Sequence, residues 1–320
     1  MSGLTRAGIG VPLALRAADA SRYATLRRAT VQAPSPGLGT LDGRHASPRF
    51  APLQAHGTGT AHRPGAALAA GLAVAAALSL AACERAQSSP PPLRVAAASS
   101  LAGALEELAG AFGDAGGRQV VFGFASSAQL AQQLRAGAPF DAFAAADPRY
   151  TDLAIDAGVC ERASRRRLGR GALALWSRSG AEAPPTGLAA LADPRFRRIA
   201  IAHPELAPYG AAAVAALKAV GIWPQVQARI VHGENVRQAL QFAAAGEADV
   251  AITALSLVIA DRQNPWQLVD VALHPPLLQE LVVCLGGHAE ADARAFAAFI
   301  DCEAGRAVLR RHGLLPPGPP

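Results

Sequence analysis

The sequence predicts an α/β fold of two lobes, each a mostly parallel sheet flanked by helices. Three observations predict it. From residue 93 onward, short apolar runs alternate with runs of helical period, the pattern of parallel strands joined by crossover helices. The register changes near residue 171 and again near residue 278, so the chain crosses between lobes twice. A length of 320 residues accommodates about two domains, with cores large enough to need no disulfide or structural metal.

The elements follow in order. Leu93–Ala98 reads as a strand, and Leu101–Phe112 as a helix with Leu101, Leu105, Leu108 and Phe112 on one face. Arg118–Phe124 is a second strand, Ala128–Arg135 a helix, Phe140–Ala145 a third strand and Tyr150–Ala157 a helix. Past the crossing, Gly171–Trp176 is a strand, Leu188–Ala192 a short helix and Arg198–Ala202 a strand. Ala211–Val220 is a helix stopped by Gly221. Gln227–Val231, Val250–Ile252 and Glu280–Leu285 are strands, and Val236–Ala245, Ala291–Ile300 and Glu303–His312 are helices. The expected organisation is a leader over residues 1–82 (cleaved or not translated), a linker over 83–92, one lobe from 93–170 plus 279–320, and a second from 171–278.

Charge excludes a nucleic-acid partner. The net charge is +6, but residues 1–82 hold eight Arg and two Asp, while the basic and acidic residues of 83–320 balance. The basic excess therefore lies outside the part expected to fold. The single lysine, Lys218, sits in an Ala-rich helical run; it offers no phosphate-binding loop and no marked Schiff-base site.

Residues 64–82 form an uncharged apolar run, ending Leu80-Ala81-Ala82-Cys83 before a polar, Pro-rich linker. The ending resembles a bacterial lipobox, which makes Cys83 the expected lipidation site and the chain a lipoprotein held to the membrane by its lipid alone. The alternative is an N-terminal transmembrane anchor. Residues 1–62 are Pro-, Gly- and Arg-rich without a sustained period, and the expected translation start lies near residue 60. Cys160, Cys284 and Cys302 show no metal spacing. A Cys284–Cys302 bridge is open in an oxidising compartment, but the odd count favours buried small apolar residues.

Two strand–Ser-Ser–helix units carry the chemistry. The first strand runs into Ser99-Ser100, and the second, through Ala125, into Ser126-Ser127. Serine is a common N-cap and need bind nothing. Yet such junctions lie on the carboxyl edge of a parallel sheet, where helix N-termini favour an anion. The second lobe has similar junctions at His203–Gly210 and at Gly233–Arg237, where Asn235 is a capping candidate that leaves the N–H groups of Val236 and Arg237 facing outward. Arg237 reads as a solvated or paired charge, and Asp141, Asp147 and Asp249 as caps or ion-pair partners.

Five segments in order, AAASSLAGALEEL, FGFASSAQLAQQLRAGAPFDAFAAAD, AHPELAPYG, ENVRQAL and ADVAITALS, resemble the periplasmic molybdate-binding proteins of ABC transporters. The resemblance covers about residues 93–315. It implies a type II periplasmic binding protein fold closing on one tetrahedral oxyanion, with molybdate or tungstate as ligand, no cofactor and no catalysis. It implies a monomer in the periplasm that delivers its ligand to permease and ATPase subunits. It implies a site of neutral donors: hydroxyls of Ser100 and Ser127, touching the oxyanion's oxygens and not its metal, and backbone N–H groups of Tyr209 and Val236. Ser99 lies one step from Ser100. A tyrosine donor of the family falls on Ala254 here, and Thr253, Ser256 or Tyr209 are the candidates to replace it.

Competing readings are a binder of sulfate or phosphate, a secreted serine hydrolase, and an enzyme on the same fold. The hydrolase lacks a G-x-S-x-G elbow and a histidine adjoining either serine pair.

Overall fold

In the computed structural model, residues 90–180 and 183–316 are described. The leader, Cys83 and the first part of the linker lie outside them. β1 (Leu93–Ala98) is buried at every position but Arg94. It pairs in parallel with β2 (Val120–Ala125) and β3 (Ala142–Ala145). Its period of two splits its side chains between two cores. Val95 and Ala97 join Leu105, Leu108 and Phe112 of α1 (Ala102–Asp114) and Phe296 of α8 (Glu290–Asp301). Ala96 joins Leu130 and Leu134 of α2 (Ser127–Arg135) and Tyr150 and Ala154 of α3 (Pro148–Asp156).

The sheet is completed by β4 (Arg166–Gly171) and β10 (Leu277–Val283), in the order β2-β1-β3-β10-β4, with β10 antiparallel to both neighbours. The second sheet holds β5 (Leu173–Ser177), β6 (Ile199–Ala202), β7 (Ile230–Gly233), β8 (Val250–Ala254) and β9 (Trp266–Leu268), in the order β7-β6-β8-β5-β9. Here β5 is the reversed strand, antiparallel to β8 and β9. The two sheets share one topology, with the reversed strand fourth in each. Each is mostly parallel, and the reversed strand is the one that follows a crossing of the chain. Around the second sheet lie α4 (Pro208–Ala219), α5 (Trp223–Val226), α6 (Val236–Ala245) and α7 (Leu255–Val258), while α9 (Glu303–Arg311) returns to the first core. Among the described residues, no helix is long and apolar enough to cross a membrane.

Four elements lie where the sequence predicts none: β4, α5, α7 and β9. β4 reads RRLGRG, with Leu168 as its one large apolar side chain. It is a strand because β10 supplies a partner and because its charges find others: Arg166 meets Asp301 at 3.0 Å and Arg167 meets Glu280 at 3.9 Å. The strand expected from Gly171 to Trp176 is divided, since the chain leaves the first sheet at Gly171 and enters the second at Leu173.

The cysteines differ from expectation. Cys160 and Cys284 form a disulfide across 124 residues, and Cys302 is free, its sulfur accepting the Gly305 N–H at the start of α9. The pairing follows from the fold, because the segment after α3 runs antiparallel to the end of β10 at this point.

Candidate functional site

The carboxyl ends of β1 and β2 and the helices after β6 and β7 converge on one small cavity. Its polar lining is Ser99, Ser100, Ser126, Ser127, Tyr209, Asn235 and Val236, and no charged side chain lines it. The cavity is small, with about the room that one water needs. The structure thus brings Ser99, Ser100, Ser127, Tyr209 and Val236 together, from four junctions spread along the chain.

Each helix that points at the cavity has its first turn almost fully satisfied. On α2, Ser126 is the N-cap: its hydroxyl accepts the Gln129 N–H, and its own N–H meets Gln129 Oε1. The Ala128 N–H donates to Leu206 O at 3.2 Å. The Ser127 N–H is left without a protein acceptor among the described residues. On α6, Asn235 Oδ1 accepts from Arg237 and Gln238, at 3.0 and 3.1 Å, which leaves Val236. This corrects the expectation that Arg237 also presents a free N–H. On α4, Pro208 has no N–H, and Gly210 and Ala211 donate to Ala207 O, which leaves Tyr209. A Cβ at Gly210 would run into the Ala202 carbonyl, so glycine is what lets α4 begin against the end of β6.

The side chains are oriented by their own partners. Ser127 Oγ accepts the Ala146 N–H at 3.1 Å, so its proton is free for the cavity. Ser100 Oγ lies 3.4 Å from Gln279 Oε1, a long contact. Gln279 Nε2 donates to the Tyr209 hydroxyl at 2.7 Å. Burial pushes that phenol well above its usual range, against the hydrogen bonds with Ser100 and Gln279, so it stays protonated.

Thr253, Ala254 and Ser256 do not line the cavity. Ala254 is fully buried at the end of β8. Thr253 donates to Val236 O at 3.2 Å and Ser256 to Ser100 O at 2.6 Å. Both hydroxyls therefore hold the backbone of residues that do line it.

Charges stand outside. Arg237 is exposed, with its guanidinium 5.9 Å from the Phe124 ring centroid. Asp141 accepts the Arg94 and Ala289 N–H groups, Asp147 caps α3, and Asp249 accepts the Arg198 N–H. No serine of the cavity pairs with a histidine. His203 and His232 face each other at 5.1 Å, and burial, then His203 itself, holds His232 below its usual range. Among the described residues, no group of three or more His, Cys, Asp or Glu is placed to hold a metal ion.

Sequence reasoning missed Gln279 and the Ala146 N–H. Gln279 sits in no motif, and Ala146, though inside the segment quoted above, acts through a backbone N–H that no side-chain pattern reveals.

A model of the bacterial extracellular solute-binding protein family matches residues 93–315. The molybdate-binding protein ModA of Rhodobacter capsulatus is 31% identical over 208 residues, 65% of this chain and 82% of that protein. The protein of the same name from Escherichia coli is 29% identical over 231 residues, 69% of this chain and 88% of its own. Among solved structures, the periplasmic molybdate-binding protein of Azotobacter vinelandii superposes with a TM-score of 0.66 at 29% identity, covering 71% of this chain and all of that one. The sulfate-binding protein SubI of Mycobacterium tuberculosis shares the fold, with a TM-score of 0.61 at 16% identity over 71% of this chain and 88% of that one.

Proposed function

The chain belongs to the bacterial extracellular solute-binding proteins, and on that premise we propose that it captures molybdate in the cavity between its sheets and delivers it to the permease and ATPase subunits of an ABC transporter. It is a binding protein and not an enzyme. The observation that carries the ligand reading is the convergence of three free N–H groups, on Ser127, Tyr209 and Val236, with two serine hydroxyls, in a cavity without a charged side chain. Relatives whose names state molybdate binding support the choice of anion.

The physical logic is electrostatic. A dianion among convergent dipoles keeps its hydrogen bonds, and each bond to it is charge-assisted. The positive ends of α2, α4 and α6 add to the attraction. A shell of donors alone rejects an anion that brings a proton, because that proton finds no acceptor. Phosphate at neutral pH is disfavoured on that ground and sulfate on size. Tungstate, of the same charge and shape as molybdate, is accepted.

In this reading Ser100, Ser127, Tyr209 and Val236 are the contacts, and the lobes are 93–170 with 279–320, and 171–278. Cys83 carries lipid, and the protein works as a monomer in the periplasm, anchored to a membrane. A melting series tests the ligand. Molybdate and tungstate raise the melting temperature by mass action, and sulfate, phosphate and chloride do much less. No shift with either metal oxyanion, in a folded sample, would sink the assignment.

A further inference from the structure

We propose that Gln279 is a positioning residue of the anion site, holding the Tyr209 phenol and the Ser100 hydroxyl in one relay whose last proton is presented to the ligand. The inference rests on the anion-binding reading above. Gln279 is 1% exposed, Tyr209 2% and Ser100 2%, so the bonds among the three groups are shielded from bulk water. Gln279 stands on β10, in the first sheet; Tyr209 stands on α4, beside the second. The amide spans the two.

Two features build this arrangement. The pairing of β10 with β4 shifts register between Gln279 and Glu280, and such a bulge re-aims a side chain beside a site. Gly171, which pairs with Leu277 on the same face of the ladder, lies against the amide, and a Cβ there would run into both the Tyr209 hydroxyl and Gln279 Nε2. Glycine at 171 is the space the relay occupies. The neighbouring carboxylate, Glu280, is taken up by Arg165 at 3.3 Å and Thr151 at 3.0 Å.

The direction of the bonds gives the function. Gln279 Nε2 donates to the phenol oxygen at 2.7 Å, which leaves the phenol proton to donate. Ser100 then holds its own proton against Gln279 Oε1 only at 3.4 Å. An anion in the cavity takes that proton as a hydrogen bond, while Gln279 keeps Tyr209 in place beside it. No proton changes owner; the Ser100 O–H turns.

The test is calorimetric titration of the whole exported protein with molybdate. Gln279→Leu removes the amide at similar volume, and the affinity falls about tenfold or more, the worth of one bond to a charged group. The unliganded melting temperature changes little by comparison. Gln279→Glu is the second variant and gives a readout that a packing role would not move. Above its pKa the carboxylate accepts from both Tyr209 and Ser100 and turns the serine proton away from the anion, so binding weakens further. As pH falls from about 8 to about 5.5, the raised pKa of a buried carboxyl returns a donor and an acceptor, and affinity recovers. The wild-type affinity stays flat across that range. Equal affinities for wild type and both variants, or a Gln279→Glu affinity that ignores pH, overturn the proposal and leave the ligand reading standing. A folded wild-type protein that does not bind molybdate overturns both.

Discussion

Ser127 Oγ accepts the Ala146 N–H at 3.1 Å, so a backbone amide at the end of one strand decides where a side-chain proton on the next helix can go. Its neighbour Ser126 has both sides of its hydroxyl committed, accepting the Gln129 N–H as a cap and donating to Gln129 Oε1 at 2.7 Å. The two adjacent serines therefore separate by experiment.

Ser127→Ala removes one bond to the anion and weakens molybdate binding by about 10- to 100-fold. It leaves the cap intact but strips the buried Ala146 N–H of its acceptor, so unliganded stability falls by about 1–3 kcal/mol. Ser126→Ala loses the cap, costs about 1 kcal/mol of stability and leaves affinity nearly unchanged. Ser100→Ala resembles Ser127→Ala in affinity, and the double change of Ser100 and Ser127 costs more than either alone. Titration calorimetry with parallel melts measures all four.

Arg237 sits at the start of α6 but outside the cavity lining, exposed over Phe124. Arg237→Ala therefore costs far less affinity than either serine change, and its effect shrinks with added salt. Loss of binding in Arg237→Ala, with the serine variants unaffected, would replace the neutral-donor site by a cation-paired one.

These two sites also mark what the sequence made legible. The strand–Ser-Ser–helix units, with LRVAAA and RIAIA before their helices, located both carboxyl edges from period and capping rules alone. Which serine caps and which points inward was not legible, since it depends on Gln129 reaching back and on Ala146 from another strand. β4 was hidden by its arginines, whose partners Asp301 and Glu280 lie more than 100 residues on. Gln279 was hidden for the same reason, being one polar residue in LLQELVV until the bulge and Gly171 give it a place.

The Cys160–Cys284 disulfide closes 124 residues of chain and lies away from the cavity. Replacing both cysteines by serine lowers stability by about 2–5 kcal/mol. Molybdate affinity stays within about twofold, as for independent sites. Denaturant unfolding and titration of the variant check the two halves separately.

Tyr209 sets an alkaline limit. Burial raises its pKa in the folded protein, so the folded state holds a proton that the unfolded chain releases above about pH 10. Stability is intact below that pH and is lost as pH rises toward the folded value, by up to about 1.4 kcal/mol per pH unit for one such phenol. Tyr209→Phe flattens this decline. Melts between about pH 8 and about pH 11 show it, and an unchanged slope in the variant would contradict the buried-phenol account.

The most direct measurement is a crystal structure of the protein with molybdate, the metal located by its anomalous scattering. The account predicts one peak in the cavity, with the anion's oxygens within hydrogen-bond distance of Ser100 Oγ, Ser127 Oγ and the N–H groups of Ser127, Tyr209 and Val236, and no Arg or Lys in contact. A peak elsewhere, or an anion held by Arg237 or another cation, would contradict it.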